Sequence, residues 1–383
     1  MDKKLITLRI KELIVLTFFL ISKALSYLLP KIDVWLISER GFEARDNAFF
    51  LFEYLQRNHP EINAKYIISF DNKDVMRFND KTKLVKFGSF KHYLYLCRSP
   101  YLISTHIMGF TPWKEFFITL DKKFNVFAKQ KKIFLQHGIT KDYLPALKNG
   151  NVHLDLFCCG ARNEYEYVKE IFDYPEHVVQ YTGFCRYDNL LNARTKRQIL
   201  VMPTWRMYIG KNDFVETEYY KQWSSFLTSK ELGNILTSNN YQLVFYPHFE
   251  VQKHIKDFLN LDLADNVDIA DFGYDVQTLL KESLLLITDY SSVYFDFAYM
   301  KKPVVLFQFD EIEFRTHHYQ KGYFDEKSIG VKVYDKESLF AEIKNQIIIG
   351  MRQYDAHENF VKSFFEKKDK KNCERTFASI KNL

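Results

Sequence analysis

The stretch LLLITDYSSVYFDFAYMKKPVVLFQFD at 284–310 restricts the fold of this chain more than any other. Leu284, Leu285, Leu286 and Ile287 form an apolar run of strand length, and Val304, Val305, Leu306 and Phe307 form a second. Runs this short and this apolar suit strands buried on both faces of a parallel sheet, and Pro303 stands at a strand entrance, where proline is tolerated. Between them, Thr288, Asp289, Tyr290, Ser291 and Ser292 place hydroxyls and backbone amides where a strand ends and a short helix begins. Such a βαβ unit sets a helix N-terminus outside the carboxyl end of the sheet, where free N–H groups and the helix dipole favour an anion such as a diphosphate. Asp289 and Ser292 are equally the residue types that cap a helix, so on these residues alone both readings stand.

The same alternation extends through the chain. VWLIS after residue 33, KYIISF (65–70), Lys83–Phe87, YLIST (101–105), the start of KKIFLQHG (131–138) and DLFCCG (155–160) read as strands, and between them lie a loop leading into a helix that ends near Pro60 and helices over 92–99 and 161–172. QILVMPTWRMY (198–208) and YQLVFYPHF (241–249) continue the pattern, VDIADFGYDVQTLLKES reads as an Asp-rich loop and a helix, and the chain from Asp335 is helical and lysine-rich. Strands alternating with helices predict a mainly parallel α/β architecture. At 383 residues the chain has room for two such domains.

Polar residues gather where these strands end. Pro203, Thr204, Trp205 and Arg206 close one strand, and a guanidinium there can grip phosphate oxygens bidentately or pair with a local carboxylate. Pro247 and His248 close another. In FLQHG, His137 follows an apolar run and precedes Gly138, which allows a sharp turn or a close phosphate approach. A neutral imidazole at such a mouth can take a proton from an alcohol. His106 ends YLIST and reads as a hydrogen-bonder. The loop RGFEARDNA offers Arg40, Glu43, Arg45 and Asp46, either as a binding loop or as a solvated loop with internal ion pairs.

TDYSSVYFDFAYMKKPVV, together with PTWR at 203–206, YPH at 246–248 and QHG at 136–138, resembles the CDP-glycerol glycerophosphotransferases, a family that includes teichoic-acid poly(glycerol phosphate) polymerases and related capsule enzymes. The similarity runs in order from about Ser38 to Asp325, and Gly183, Arg186 and Asp188 resemble the family's G-x-x-R-x-D step. The resemblance implies two Rossmann-like domains facing a cleft, a glycosyltransferase-B-like architecture. It also implies transfer of glycerol phosphate from CDP-glycerol to a hydroxyl of a cell-surface glycan or poly(glycerol phosphate) acceptor, lipid-linked or free, with CMP leaving. On it, His137 is the general base and His248 the second catalytic histidine. Thr204, Arg206, Ser291, Ser292 and Arg315 hold the donor, Asp289 orients the turn, and Arg40, Arg45 and Gly138 lie on the acceptor side. Tyr323 and Phe324 fit the aromatic pair that follows the family's arginine. Alternatives on the same fold are a CDP-ribitol-dependent or nucleotide-sugar transferase. In another class, the alternative is a non-catalytic membrane-surface binding protein.

The expected organisation is a membrane-interfacial helix over 1–30, an acceptor-side domain over 31–192, a CDP-glycerol-binding domain over 193–355 that opens on the basic linker ARTKRQ, and a helical segment over 356–383. Lys3, Lys4, Arg9 and Lys11 precede the apolar run LIVLTFFLISKALSYLLP. As a helix, Leu13–Leu29 reaches only about 26 Å, at roughly 1.5 Å per residue. That falls short of the ~30 Å of membrane hydrocarbon, and Lys23 interrupts it. A monotopic helix is predicted, with Phe18, Phe19 and Leu20 in the interface, on the cytoplasmic face of the membrane; a core-docked amphipathic helix is the competing reading. A net charge of +6 suits phosphate-rich partners or an anionic surface. Five cysteines show neither zinc spacing nor a paired framework, and Cys158 and Cys159 read as core residues. No metal, cofactor or nucleic-acid partner is expected. EKKDKKNCER reads as a solvated basic face, and Phe360, Phe364 and Phe365 as packing residues.

Overall fold

The computed structural model describes residues 3–191, 194–209, 214–271, 273–318 and 320–383, with side chains from residue 11. The side chains of Lys3, Lys4 and Arg9, and the expected domain boundary at 192/193 with Ala193 of the linker, lie outside the described residues.

Fifteen strands are described: β1 (Trp35–Ser38), β2 (Ala64–Ile68), β3 (Leu84–Lys86), β4 (Tyr101–Ser104), β5 (Lys131–Phe134), β6 (Asp142–Tyr143), β7 (Leu156–Cys159), β8 (Val179–Tyr181), β9 (Gln198–Val201), β10 (Gln242–Phe245), β11 (Val267–Ile269), β12 (Leu285–Thr288), β13 (Val304–Phe307), β14 (Gln320–Lys321) and β15 (Val331–Val333). The chain forms two compact units. One comprises 1–137, 145–188 and 367–383; the other comprises 138–144 and 189–366.

The first unit holds a seven-stranded sheet in the order β3-β2-β1-β4-β5-β7-β8, every pairing parallel. All four residues of β1 and of β7 are buried, as strands covered by helices on both faces must be. One face packs under α2 (Asn47–Asn58), whose Leu51, Phe52 and Leu55 join Tyr66, Ile103 and Cys158. The other face carries Leu36, Ile67 and Leu102 under α3 (Phe90–Arg98) and the helix Lys114–Phe124. The C-terminal helix Asn372–Lys381 belongs to this unit, with Phe377 against Trp35. Gly183 and Asp188 explain its seat, while Arg186 pairs with Asp46. Asp188 accepts from the amides of Asn372 (3.0 Å) and Cys373 (2.8 Å). Gly183 has φ +75°, and a Cβ there would stand 1.9 Å from Asn372 Oδ1. Part of EKKDKKNCER is therefore structural: Asn372 and Cys373 are buried and Asp369 pairs with Arg375.

The second unit holds a six-stranded parallel sheet in the order β11-β10-β9-β12-β13-β15. Trp223, Phe226, Phe245 and Phe307 sit in its largest core cluster, and Phe295 stacks on Phe364 at 5.2 Å. The βαβ stretch folds as its pattern predicts, with β12 and β13 parallel neighbours, but its helix, Val293–Tyr299, has only seven residues. Both sheets run outward from a first strand, β1 or β9, to the second and third on one side and the fourth on the other. This is the Rossmann-like winding expected. Ligands bind such sheets beyond the carboxyl ends of the strands where the order reverses, here β1/β4 and β9/β12.

The N-terminal helix, α1, covers Lys3–Leu28. No described helix is long and apolar enough to cross a membrane. One side of α1 docks: Val15, Phe19 and Ser22 are buried, and Phe19 meets Phe117 edge-on at 5.2 Å. Lys23 Nζ donates to the Val126 carbonyl at 3.0 Å. Phe19 is thus a core residue and not the interfacial residue expected, because the helix needs one stripe to hold it to the unit. Phe18 packs edge-on against Tyr93 while keeping 37% exposure. The opposite stripe remains open: Leu13 is 64%, Ile14 51%, Leu20 55% and Ile21 46% exposed. Phe19→Ala is expected to cost about 3–5 kcal/mol, and Leu20→Ala to stay within about 0.5 kcal/mol. Urea titration of the two variants checks this, and equal costs would mean that the helix docks by another face.

Candidate active site

In the second unit, the motif residues converge at the β9/β12 switch. PTWR follows β9 and TDYSS follows β12. Their meeting point is Arg206, fully buried. Its Nε and one terminal nitrogen donate to the two oxygens of Asp310, at 2.7 and 3.0 Å. The other terminal nitrogen donates to Asp289 at 2.8 Å and to the Thr204 carbonyl at 2.7 Å. Asp289 also accepts from the amides of Thr204 (2.8 Å) and Tyr290 (2.6 Å), and Tyr208 and Tyr290 donate their hydroxyls to Asp310. The rings of Tyr290 and Phe314 cover the guanidinium. Burial opposes the charge, but Asp289 and Asp310 raise the Arg206 pKa above its ordinary value, so the group stays a cation.

This differs from the expectation that Arg206 grips a phosphate. Its donors are directed at protein oxygens and it is shut away from solvent, so it braces the strand ends. Asp289 faces Arg206 and the amides of Thr204 and Tyr290. Arg315 also has protein partners, Asp142 (2.8 Å) and Glu326 (2.8 Å), with its side chain 18% exposed. Phe324 packs against Phe295 and Phe364 and closes the core.

Beside this clamp stand three hydroxyls and an imidazole. Thr204 Oγ1 is buried and has no hydrogen-bond partner among the described residues. Ser291 Oγ accepts from the Val293 amide at 3.4 Å, and Ser292, at the helix start, makes no side-chain cap bond. His248 lies exposed beyond β10, and its Nδ1 accepts from the Glu250 amide at 3.2 Å. That bond places the proton of the neutral ring on Nε2, which makes it a donor. Gly138 belongs to this unit, and a Cβ on it would stand 2.6 Å from Ser292 Oγ. His318, which sequence reasoning passed over, accepts from the Met207 amide through Nδ1 at 3.3 Å. Burial and then Arg206 lower its pKa to about 4. The only signal for it was a histidine pair eight residues beyond Asp310.

In the first unit, the ends of β1, β4 and β5 supply the counterpart. His137 stacks on His106, centroids 4.4 Å apart and planes 8° from parallel. It donates to the Thr105 backbone, while Thr105 Oγ1 lies 2.9 Å from His106 Nδ1. Burial among surrounding atoms, followed by Arg40 and Arg186, lowers the His137 pKa to about 4, although the ring keeps an exposed edge. At physiological pH it is a neutral imidazole with one nitrogen committed to a carbonyl and the other able to accept a proton. Arg40 is exposed and bonded through Nε to Glu43 at 2.6 Å, and Arg45 pairs with Asp74 at 2.8 Å. Glu39 is a further residue that sequence reasoning missed. Fully buried, it accepts from the amides of Arg45 and Asp46 at the start of α2, and burial, then Glu43 and Asp46, raise its pKa to about 8.

The family model for CDP-glycerol:poly(glycerophosphate) glycerophosphotransferases matches residues 21–382. The chain belongs to this family. Its relatives include the minor teichoic acid biosynthesis protein GgaB of Bacillus subtilis, 32% identical over 91% of this chain and 40% of that protein. The chain therefore spans well under half the length of that relative. The teichoic acid poly(glycerol phosphate) polymerase of Bacillus spizizenii is 27% identical over 84% of this chain and 85% of its own length. Among solved structures, the wall teichoic acid polymerase TagF, as a histidine-to-alanine variant, superposes with a TM-score of 0.69 at 19% identity, covering 100% of this chain and 98% of that one. At that identity the likeness establishes the fold alone, and it covers both Rossmann-like units.

Arg206→Met, which strands two buried carboxylates, is expected to cost about 3–5 kcal/mol. Thr204→Val, which removes an unpartnered hydroxyl, is expected to shift stability by less than about 1 kcal/mol. Guanidinium unfolding midpoints decide between them; a near-neutral Arg206→Met would deny the buried clamp.

Proposed function

We propose that the chain transfers glycerol phosphate from CDP-glycerol to a hydroxyl of a teichoic-acid-type acceptor, a poly(glycerol phosphate) chain or a cell-surface glycan, and releases CMP. The supporting observation is His137: neutral, with an exposed edge, and held by the Thr105 backbone so that one ring nitrogen accepts a proton. In this reading the acceptor oxygen attacks the β-phosphorus. The new O–P bond forms as the bond from that phosphorus to the CMP oxygen breaks, and the acceptor proton passes to His137. The hydroxyls of Thr204, Ser291 and Ser292 and the Nε2–H of His248 hold the donor diphosphate. The seven-residue helix after Ser292 adds little dipole, so these side chains carry the recognition. Arg206 and Asp289 shape the turn that presents them. Arg40 supplies positive charge beside His137 for an anionic acceptor, and Gly138 keeps the turn at Ser292 clear.

The open stripe of α1 supports peripheral, monotopic contact with a membrane, on the cytoplasmic face in this reading, where a lipid-linked acceptor is presented. Leu13, Ile14, Leu20 and Ile21 recur at helical spacing on the side opposite Phe19.

His137→Ala is expected to lower CMP release by at least about a hundredfold, on the scale of general-base catalysis, with CDP-glycerol affinity in calorimetry within about twofold. Because the His137 pKa is lowered, the neutral base is lost only as pH falls through about 4. The acid limb of kcat/KM should therefore lie below the ordinary histidine value, and the limb of kcat higher, since a bound diphosphate favours the imidazolium. A variant with wild-type turnover would remove His137 as base. For the membrane reading, Leu20→Ser with Ile21→Ser should release the protein from sedimented anionic vesicles without lowering its melting temperature; unchanged sedimentation would end it.

A further inference from the structure

Gln136, the residue before the proposed base, has a left-handed backbone, with φ +58°. Most side chains are strained in that region, and a turn alone would select glycine, or asparagine or aspartate at lesser cost. Glutamine is none of these, so the turn does not account for it and the side chain does. That side chain is buried, and its Nε2 donates to the Cys158 carbonyl at 2.7 Å and to Glu164 at 3.0 Å. Cys158 lies in β7, and Glu164 lies in the first turn of the helix Arg162–Ile171, where it also accepts from the Gly160 amide at 2.6 Å. The end of β5 is thereby tied sideways to its neighbour in the sheet.

The backbone of the same residue is held from α2. Asn47 Nδ2 donates to the Gln136 carbonyl at 2.7 Å and to the Leu135 carbonyl at 3.3 Å, while Asn47 Oδ1 accepts from the Arg186 amide at 3.1 Å. Asn47 is fully buried and is the first residue of α2, on the turn where Glu39 accepts from the amides of Asp46 and Phe49. The Gln136 carbonyl belongs to the peptide plane that carries the His137 nitrogen, and such a plane is rigid. Every group that fixes it belongs to the first unit. The ring that follows also lies against first-unit groups, bonded to the Thr105 backbone and stacked on His106.

We propose that Gln136 and Asn47 are positioning residues: together they hold the left-handed Gln136–His137 peptide and so keep the His137 ring stacked on His106 and bonded to Thr105. The kinetic consequence rests on the transferase reading above. A base displaced by about 1 Å can lose roughly a hundredfold in rate. Arg186 gains a second duty, since its amide backs Asn47 while its side chain pairs with Asp46.

Gln136→Gly keeps the left-handed backbone accessible while both side-chain bonds go. Its kcat for CMP release from CDP-glycerol is expected to fall about 10- to 100-fold, with donor affinity by calorimetry within about twofold of wild type. Asn47→Asp, which turns an oxygen toward the two carbonyls in place of a donor, should show the same split. Wild-type kcat in either variant, or a parallel loss of kcat and donor affinity with a lower melting temperature, overturns the proposal. A second readout needs no turnover: the His137 ring resonance in NMR, assigned by its loss in His137→Ala and followed against pH. In the wild type, burial, then Arg40 and Arg186 and lastly Lys114 lower the His137 pKa to about 4 against the Thr105 bond, with His106 stacked on the ring. A ring released from this place moves into water, so in Gln136→Gly its pKa should rise toward the ordinary histidine value. An unchanged titration in that variant overturns the positioning role. A wild-type protein that releases no CMP with any acceptor overturns the transferase reading, and the NMR comparison still decides the positioning.

Discussion

One guanidinium organises the second unit. Arg206 reaches from the end of β9 to carboxylates that follow β12 and β13, so the ends of three neighbouring strands are tied through a single cation. A charge removed from water in this way is tolerable only if its donors and the facing lone pairs are matched. Here the matching is extended by the amides of Thr204 and Tyr290 and by the hydroxyls of Tyr208 and Tyr290. The consequence is geometric. With Asp289 turned inward to the clamp, the adjoining hydroxyls of Thr204, Ser291 and Ser292 are left without a structural duty of comparable weight.

The first unit buries a carboxyl group instead of a cation. Glu39 stands at the end of β1, where burial favours its protonated form, and it is met by backbone amides at the start of α2. Asp46 then caps that helix and pairs with the nearly buried Arg186 at 2.8 Å, while Asp188, two residues on, caps the C-terminal helix. The G-x-x-R-x-D step thus locks a first-strand loop and the last helix into one unit. In both units the polar residues cluster beyond the strands where the order reverses, because there adjacent helices leave to opposite faces and the strand ends stand uncovered.

The parallel sheets were legible because several strands are fully buried and apolar but for a terminal Thr or Ser: LLIT, VVLF, WLIS and LFCC could hardly be anything else. Three of the four edge strands were not. Val179–Tyr181, Val267–Ile269 and Val331–Val333 are three residues each and only partly buried, so they carry too little hydrophobic pattern to stand out from loops. At the site, the residue types at each strand end could be read, but not their direction. Arg206 and Arg315 both looked like phosphate ligands, since a sequence shows a guanidinium without showing carboxylates that lie 83 and 104 residues away for Arg206, or 173 for Arg315. Phe19 and Leu20 were equally apolar neighbours until docking on one side of α1 divided them into core and surface.

This division bears on how motif residues in such a chain should be weighed. Within PTWR and TDYSS, the charged members Arg206 and Asp289 face each other, Thr288 donates to the Met202 carbonyl and Tyr290 to Asp310, and the Thr204 hydroxyl has no partner among the described residues. Lysine cannot replace Arg206 even though the charge is kept. Three nitrogens in a rigid plane reach Asp310 through two bonds and Asp289 through a third, a fork that an ammonium group cannot reproduce. The invariance to be expected at this position is therefore that of a brace, and it comes from the fold's need to close three strand ends around one charge.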